Sequence, residues 1–418
     1  MKTTSNRNLD TRTNIKGTSK VMENFAGESM RHRLLALQKR HLQRYLEPVT
    51  KGTEPWLEVS GHRLLNLSSN NYLGLATHPE VKSAAAKAAL AEGCGAGSSR
   101  LIAGNSTLYH TLEKRLAQFK HVEATLVYTS GYSANVGVIP AMVGPGDVIL
   151  GDELNHASII DGCRLSRAEF ISYSHNNVDS LKSLITTLDQ QGHKGHRLVV
   201  TDTVFSMDGD IVLLPDLVDV CRQHNAILMV DEAHATGCIG PGGRGAVAHF
   251  GLEKSVPVAI STLSKALGSF GAFVAGDALL REYLVNVSRS FIFTTALPPT
   301  VVAASLAALD ILEQQPNLVH QLQENGKYLR TGLQVMGFDT MASETHIMPV
   351  RVGDAAKTLE FSRRLREQEV YAVAIRPPTV PPRSSRIRVS VMATHTREDL
   401  DFALSAFGKV GRSLNLIV

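Results

Sequence analysis

Ala226-Ile-Leu-Met-Val-Asp231-Glu-Ala-His234 runs five apolar residues, two of them β-branched, straight into an aspartate. That is the pattern of a strand buried on both faces with a charged group at its C-terminal edge. Val256-Pro-Val-Ala-Ile-Ser-Thr262-Leu-Ser-Lys265 repeats the design, ending in hydroxyls and a lysine before Gly268 and Gly271. In parallel α/β sheets ligands bind at the carboxyl ends of strands. Two neighbouring strand ends therefore aim Asp231, His234, Thr262 and Lys265 at one site.

Working back from this stretch, more strands of the same kind appear. Thr125-Leu-Val-Tyr-Thr129, Asp147-Val-Ile-Leu150 and Leu198-Val-Val-Thr201 each end in polar residues and lead into helical patterns. Strands alternating with helices over roughly 200 residues predict a mostly parallel sheet. After the second of these strands comes Asp152-Glu-Leu-Asn155-His156-Ala-Ser158, and after the third Asp202-Thr-Val-Phe205-Ser206-Met-Asp208-Gly209. Asp208-Gly209 reads as a turn with no necessary chemistry. Ser130-Gly131-Tyr132 opens a helix whose backbone amides form a ready anion site.

The residue types at the two strand ends suit pyridoxal 5'-phosphate (PLP). This cofactor needs a lysine for its Schiff base and an acid facing its pyridinium nitrogen. A hydroxyl beside the lysine can hold phosphate, and a histidine can bond the ring oxygen. Singly, each also reads as a capped buried aspartate or a surface lysine; together, the cofactor reading prevails.

Asp231-Glu-Ala-His234-Ala-Thr-Gly237 with Thr262-Leu-Ser-Lys265-Ala-Leu-Gly268 resembles the α-oxoamine synthases. These are fold-type I PLP enzymes that join an amino acid to an acyl-CoA with loss of CO2. The resemblance runs from about Arg44 onward. It implies an α/β PLP-dependent transferase fold of type I, with a mostly parallel central sheet and a smaller C-terminal α+β domain. The expected divisions are 1–65 for an N-terminal arm, helix and hairpin, 66–308 for the large PLP-binding domain, and 309–418 for the small one.

Roles follow from the same resemblance. Lys265 carries the cofactor and acts as general base. Asp231 holds the ring nitrogen, His156 stacks on the ring, and His234 bonds its phenolic oxygen. Gly131, Tyr132, Ser206 and Thr262 complete the cofactor site. Thr294 and Thr295, in Phe291-Ile-Phe-Thr294-Thr295-Ala-Leu-Pro298-Pro299, cross a homodimer interface to the partner's phosphate, so the active sites are shared. Arg44 contacts the acyl substrate, Asn70 lies near the amino-acid site, and Arg376 grips the amino-acid carboxylate. Asn70 reads equally well as part of an Asn-rich turn. No metal is expected.

Ile375-Arg376-Pro-Pro-Thr379-Val-Pro-Pro382 separates the branches of the family. Flanking prolines restrict the backbone and hold Arg376 and Thr379 at little ordering cost. The run resembles the biotin-pathway branch, which implies L-alanine and a pimeloyl thioester, on CoA or a carrier protein, as substrates. Arg383-Ser-Ser385 departs from the Gly-containing turn usual there. Glycine C-acetyltransferase chemistry, a non-catalytic subunit of the same fold and a nucleic-acid binder are the competing readings.

Composition narrows these. The chain has 418 residues, 43% hydrophobic, enough for a large core. A net charge of +4 does not point to a nucleic-acid partner, though it suits an anionic thioester. Cys94, Cys163, Cys221 and Cys238 form no CxxC pair, which predicts reduced thiols and a cytoplasmic protein. No apolar run reaches membrane-spanning length and Met1–Asn8 lacks the core of a signal peptide. Residues 1 to about 24 are polar and expected to be disordered, or an arm that orders against a partner. Gly27–Tyr45 predicts an amphipathic helix with a basic face. Gly93–Arg100 is a glycine-rich turn without the lysine of a P-loop. Gly240-Pro-Gly-Gly-Arg-Gly245 fits a dinucleotide fingerprint only formally, since no strand precedes it, and is expected to be a loop.

Overall fold

The structure is a computed structural model that describes residues 27–418, so the polar tail read from the sequence lies outside the described residues. Two units are present, one ending at Glu47 and the other spanning Pro48–Val418. In the first, the helix Gly27–Lys39 stops short of the expected Tyr45. His41 turns left-handed at φ +57, and Leu42 N and His41 N reach back to Leu37 O and Gln38 O. That is a Schellman stop, which satisfies carbonyls the helix leaves open. Arg44 follows it, exposed.

The second unit begins with the expected hairpin, β1 (Trp56–Val59) and β2 (His62–Asn66). Its turn residues Ser60 and Gly61 both have positive φ, as a tight hairpin requires. The central sheet follows: β3 (Ala124–Tyr128), β4 (Val148–Asp152), β5 (Glu169–Tyr173), β6 (Arg197–Asp202), β7 (Ile227–Asp231), β8 (Val258–Thr262) and β9 (Ala272–Gly276). Their order is β3-β9-β8-β7-β6-β4-β5. Only β9 runs antiparallel, pairing with both β3 and β8, so the sheet is mostly parallel as expected. The apolar runs of β4, β6, β7 and β8 are buried against helices on both faces, forming two core clusters. Every polar residue that ends these strands therefore emerges on one edge.

Beyond the helix Pro299–Gln314 lie β10 (Ile347–Gly353), β11 (Val370–Tyr371), β12 (Val373–Ile375) and β13 (Ser385–Ser390). β10, β13 and β12 form an antiparallel sheet, while β11 joins β2 in parallel. The expected boundary at 308/309 falls inside that 16-residue helix, and Pro48–Val418 is one compact unit. The final helix, Arg397–Ser413, opens on the predicted box between Thr396 and Asp399. Among the described residues no helix is long and apolar enough to cross a membrane.

β13 carries two buried arginines. Arg386, only 2% exposed, donates to Asp208 Oδ1 at 2.6 Å and to Met207 O at 3.1 Å. Asp208, which the sequence offered only as a turn, thus ties the loop after β6 to the C-terminal sheet. Removing one partner of such a pair leaves a buried charge uncompensated, at a cost of about 3–5 kcal/mol. Asp208→Ala is expected to lose that much stability in urea unfolding. A loss below about 1 kcal/mol, the range of a surface ion pair, would contradict the buried-pair account.

Candidate active site

β7 and β8 are neighbours, and their ends bring the key residues together. Lys265 Nζ lies 2.7 Å from His234 Nε2. Lys265 follows Thr262 by three residues in a turn that closes at Gly268, where φ is +60 and an added Cβ would stand 2.2 Å from Ala76 N. Only glycine fits there. Burial, partly opposed by the Asp231 and Asp202 carboxyls, lowers the Lys265 ammonium to about 8.

Asp231 ends β7 and is 4% exposed. Its Oδ1 accepts from Ala233 N and its Oδ2 from Asn135 Nδ2, both at 2.8 Å. Asn135 also donates to Ser158 Oγ at 2.9 Å, and Ser158 Oγ lies 2.7 Å from His156 Nδ1. Ser158 N donates to the same nitrogen, which leaves the His156 proton on Nε2. Burial lowers the His156 imidazole; the Lys265 charge adds to this and Asp231 opposes it. On β6, Asp202 pairs in register with Asp231 and accepts from His156 N at 2.7 Å. Burial and the Asp231 charge hold the Asp202 carboxyl well above the usual carboxylate range.

Glu232, the residue after Asp231, turns to the opposite side. It forms a buried ion pair with Lys120 and accepts from Val247 N at 2.9 Å. Gly245 passes so close, at φ +104, that an added Cβ would lie 2.4 Å from Glu232 Oε1. Gly245 of the formal dinucleotide fingerprint therefore serves close packing on Glu232.

His234 links two halves of the site. Its Nδ1 lies 2.7 Å from the Tyr72 hydroxyl. Burial, then the positive charges of Lys265 and Arg388, hold the His234 imidazole well below its ordinary range, so it is neutral. Tyr72 OH donates to Asn70 Oδ1 at 3.0 Å and accepts from Arg388 Nη2 at 3.2 Å. Arg388 is 8% exposed and also donates to Ser206 O at 2.6 Å and Asn70 Oδ1 at 3.3 Å. None of these partners is a carboxylate.

The helix Gly131–Met142 starts beside this network. Ser130 Oγ accepts from Ser133 N, and Ser133 Oγ accepts from Ser130 N. These bonds occupy two amides of the first turn and leave those of Gly131 and Tyr132 for an anion. An added Cβ at Gly131 would meet nothing within 4 Å, so the space before the helix is open. Tyr132 itself is half exposed and donates to Asp161 Oδ2 at 2.6 Å. Thr262 Oγ1 donates to Gly271 O at 2.9 Å and accepts from Ser264 N. Ser206 enters the network through its backbone carbonyl. Thr295 bridges Ser99, and Thr294 precedes it. Arg376 and Thr379 lie in the turn after β12, where Thr379 N donates to Arg376 O at 3.1 Å. That turn ends at Arg383, which is left-handed at φ +62.

The donor set fits PLP. A primary amine, a buried carboxylate across from it, a neutral histidine at the lysine and free helix-start amides match its aldehyde, ring nitrogen, phenol oxygen and phosphate. Tyr72, Asn135, Asp202 and Arg388 had no role in the sequence reading. For Arg388 the signal was present: Ser385-Arg-Ile-Arg-Val-Ser390 is a strand with two arginines, both of which turn out buried.

A titration follows from this setting. The unfolded lysine keeps its proton to about pH 10.4, whereas folded Lys265 releases it at about 8. Between these values the unfolded chain binds more protons, so the Lys265 contribution to stability rises with pH. In the apoprotein, Lys265→Met is expected to be more stable than the parent below pH 8, with the difference shrinking toward pH 10. A pH-independent difference would contradict this.

A chain with this sheet and this site belongs to the aminotransferase class I and II family, which matches residues 62–407. It is similar to the 8-amino-7-oxononanoate synthase of Symbiobacterium thermophilum, with 48% identity over 384 residues, 92% of this chain and 97% of that one. The 8-amino-7-oxononanoate synthase of Geobacter sulfurreducens is 47% identical over 399 residues, 95% of this chain and all of that one. A solved structure of SPT with PLP superposes with a TM-score of 0.87 at 30% identity, covering 96% of this chain and 100% of that one.

Proposed function

We propose that this chain acts as an 8-amino-7-oxononanoate synthase with PLP as cofactor. It condenses L-alanine with a pimeloyl thioester and releases CO2 and the thiol, CoA or a carrier protein. The observation that carries the reading is the Lys265–His234 contact flanked by buried Asp231 on one side and Arg388 on the other. Bound PLP supplies the electron sink for negative charge at the substrate Cα. Lys265 anchors the cofactor and, once freed, takes the Cα proton; a lysine lowered to about 8 is suited to that work near neutral pH. Asp231 keeps a proton on the ring nitrogen, and Asn135 orients its carboxylate. His156, held by Ser158, would lie against the bound ring with its Nε2 proton free to donate. His234 holds the ring oxygen. The Gly131 and Tyr132 amides take the phosphate, whereas Thr262, expected there on the resemblance, gives its hydroxyl proton to Gly271 O.

Arg388 holds the alanine carboxylate, the role first expected of Arg376. Its guanidinium is buried without a carboxylate partner, which favours a bidentate anionic ligand. Asn70 supports it. Arg376, Thr379 and Arg44 are assigned to the acyl thioester on the resemblance. The working unit is a homodimer, with Thr294 and Thr295 reaching the other protomer's phosphate. Exposed Phe293 and Ile102, 72% and 82%, on loops joined by the Ser99–Thr295 bridge, support a covered surface there. Four free cysteines and a thioester substrate favour the cytoplasm.

The test is a product assay. L-alanine with pimeloyl-CoA is expected to give the highest kcat/KM. Far more efficient turnover of glycine with acetyl-CoA would remove the biotin assignment and leave the α-oxoamine chemistry standing.

A further inference from the structure

Tyr72 is 0% exposed, and the mechanism above gives it no chemistry. Its hydroxyl nevertheless touches both ends of the site, at 2.7 Å from His234 Nδ1 and 3.2 Å from Arg388 Nη2. The third contact, Asn70 Oδ1 at 3.0 Å, accepts its proton. Donor chemistry sets the order of protons through this chain. Arg388 can only donate. When Lys265 is free and protonated it donates to His234 Nε2, so the neutral imidazole then carries its proton on Nδ1 and gives it to the Tyr72 oxygen. Tyr72 then accepts two bonds and donates one, to Asn70, so its hydroxyl is fully used, while two of the five Arg388 N–H groups remain for a ligand. The ring is held as firmly as the hydroxyl. His346, buried at 2%, packs edge-on against it with centroids 4.1 Å apart. Ala393 N is bonded to the Tyr72 carbonyl at 2.7 Å.

We infer that Tyr72 is a positioning residue that joins the carboxylate-binding guanidinium of Arg388 to the His234–Lys265 pair, so that amino-acid binding and the state of the lysine are set together. This rests on the assignment of Arg388 to the substrate carboxylate. Arg388 can turn about its side-chain bonds. The Tyr72 oxygen, Asn70 Oδ1 and Ser206 O fix the plane of its fork before substrate arrives, and a fork held in place binds a carboxylate without ordering cost. The link also runs the other way. Burial and then the nearby Arg388 charge lower Lys265 basicity. A carboxylate bound to Arg388 cancels that charge, so the lysine becomes more basic when the substrate is seated.

Tyr72→Phe keeps the ring and removes only the oxygen. In the PLP-loaded enzyme, the L-alanine dissociation constant, read from the cofactor absorbance, is expected to rise about tenfold or more. The KM for the acyl thioester should stay within twofold. The alanine constant should also lose part of its change between pH 7 and 9, since the two ends no longer communicate through the hydroxyl. A change confined to thermal unfolding, with alanine binding within twofold of the parent, would overturn the inference. Should Tyr72→Phe fail to fold, Asn70→Ala, at an exposed position, removes the acceptor that orients both Tyr72 and Arg388. It is expected to weaken alanine binding in the same direction, and unchanged binding would overturn the inference equally. Arg388→Gln separates the two readings. If it binds alanine as the parent does, the carboxylate assignment fails; if it weakens binding while Tyr72→Phe is silent, only the bridge fails.

Discussion

Lys265→Ala is expected to abolish turnover and, with it, the covalent cofactor link that borohydride traps in the parent. Two losses combine. Lys265 is the amine at the end of β8, within 2.7 Å of His234, and the other groups there are hydroxyls, carboxyls and imidazoles that form no Schiff base. Proton transfer by a positioned base is itself worth roughly 10²–10⁴-fold. Some PLP is expected to remain bound without a covalent link, through Asp231 and the free amides of Gly131 and Tyr132. A Lys265→Ala protein that still fixes PLP on reduction would end the assignment. The same variant tests the shared site. Mixed with an inactive chain in which Thr294 and Thr295 are both alanine, it should recover part of the activity through hybrid dimers. A fully active monomer in ultracentrifugation would exclude sharing.

Asp231→Asn is the second large effect, an expected fall of roughly 10²–10³ in kcat, the scale for removing one preorganised electrostatic group. The substitution is nearly isosteric, but the new amide would face Asn135 Nδ2, donor against donor, where the carboxylate now accepts at 2.8 Å. Asp202 cannot supply the missing charge. It lies beside Asp231 in register, but burial alone favours its protonated form, and its Oδ2 is already taken by His156 N at 2.7 Å. PLP content should stay near that of the parent, since lysine and phosphate contacts are intact. Activity within tenfold of the parent would show that the ring nitrogen does not depend on this carboxylate.

The Asp208–Arg386 pair and the Tyr72 bridge share a setting. Both join the loops of the central sheet to β13, so the position of Arg388 depends on two regions far apart in the chain. Ser206 O follows β6, Asn70 Oδ1 follows β2, and the guanidinium comes from β13.

The central sheet and the gathering of Asp231, His234, Thr262 and Lys265 at neighbouring strand ends were legible in the sequence because both are local. A buried strand is a run of apolar residues, and the group at its carboxyl edge is the next residue along. Asp231, His234, Thr262, Lys265 and the Gly131-Tyr132 helix start could therefore be named from their own segments. Glu232 already shows the limit: it adjoins Asp231 in sequence and faces the opposite way, and only its buried partner Lys120 reveals why. The surroundings of Arg388 were assembled by tertiary structure alone. Arg376 stood out because prolines mark it, whereas Arg388 looked like one more residue in a strand, with nothing nearby in sequence to say that Asn70, Tyr72 and Ser206 would surround it. Asn135 met Asp231, and Asp208 met Arg386, across 96 and 178 residues respectively. A pattern of side chains records which face of an element is buried. It does not record which distant backbone will supply the partner of a buried charge, because that is fixed only when the elements pack.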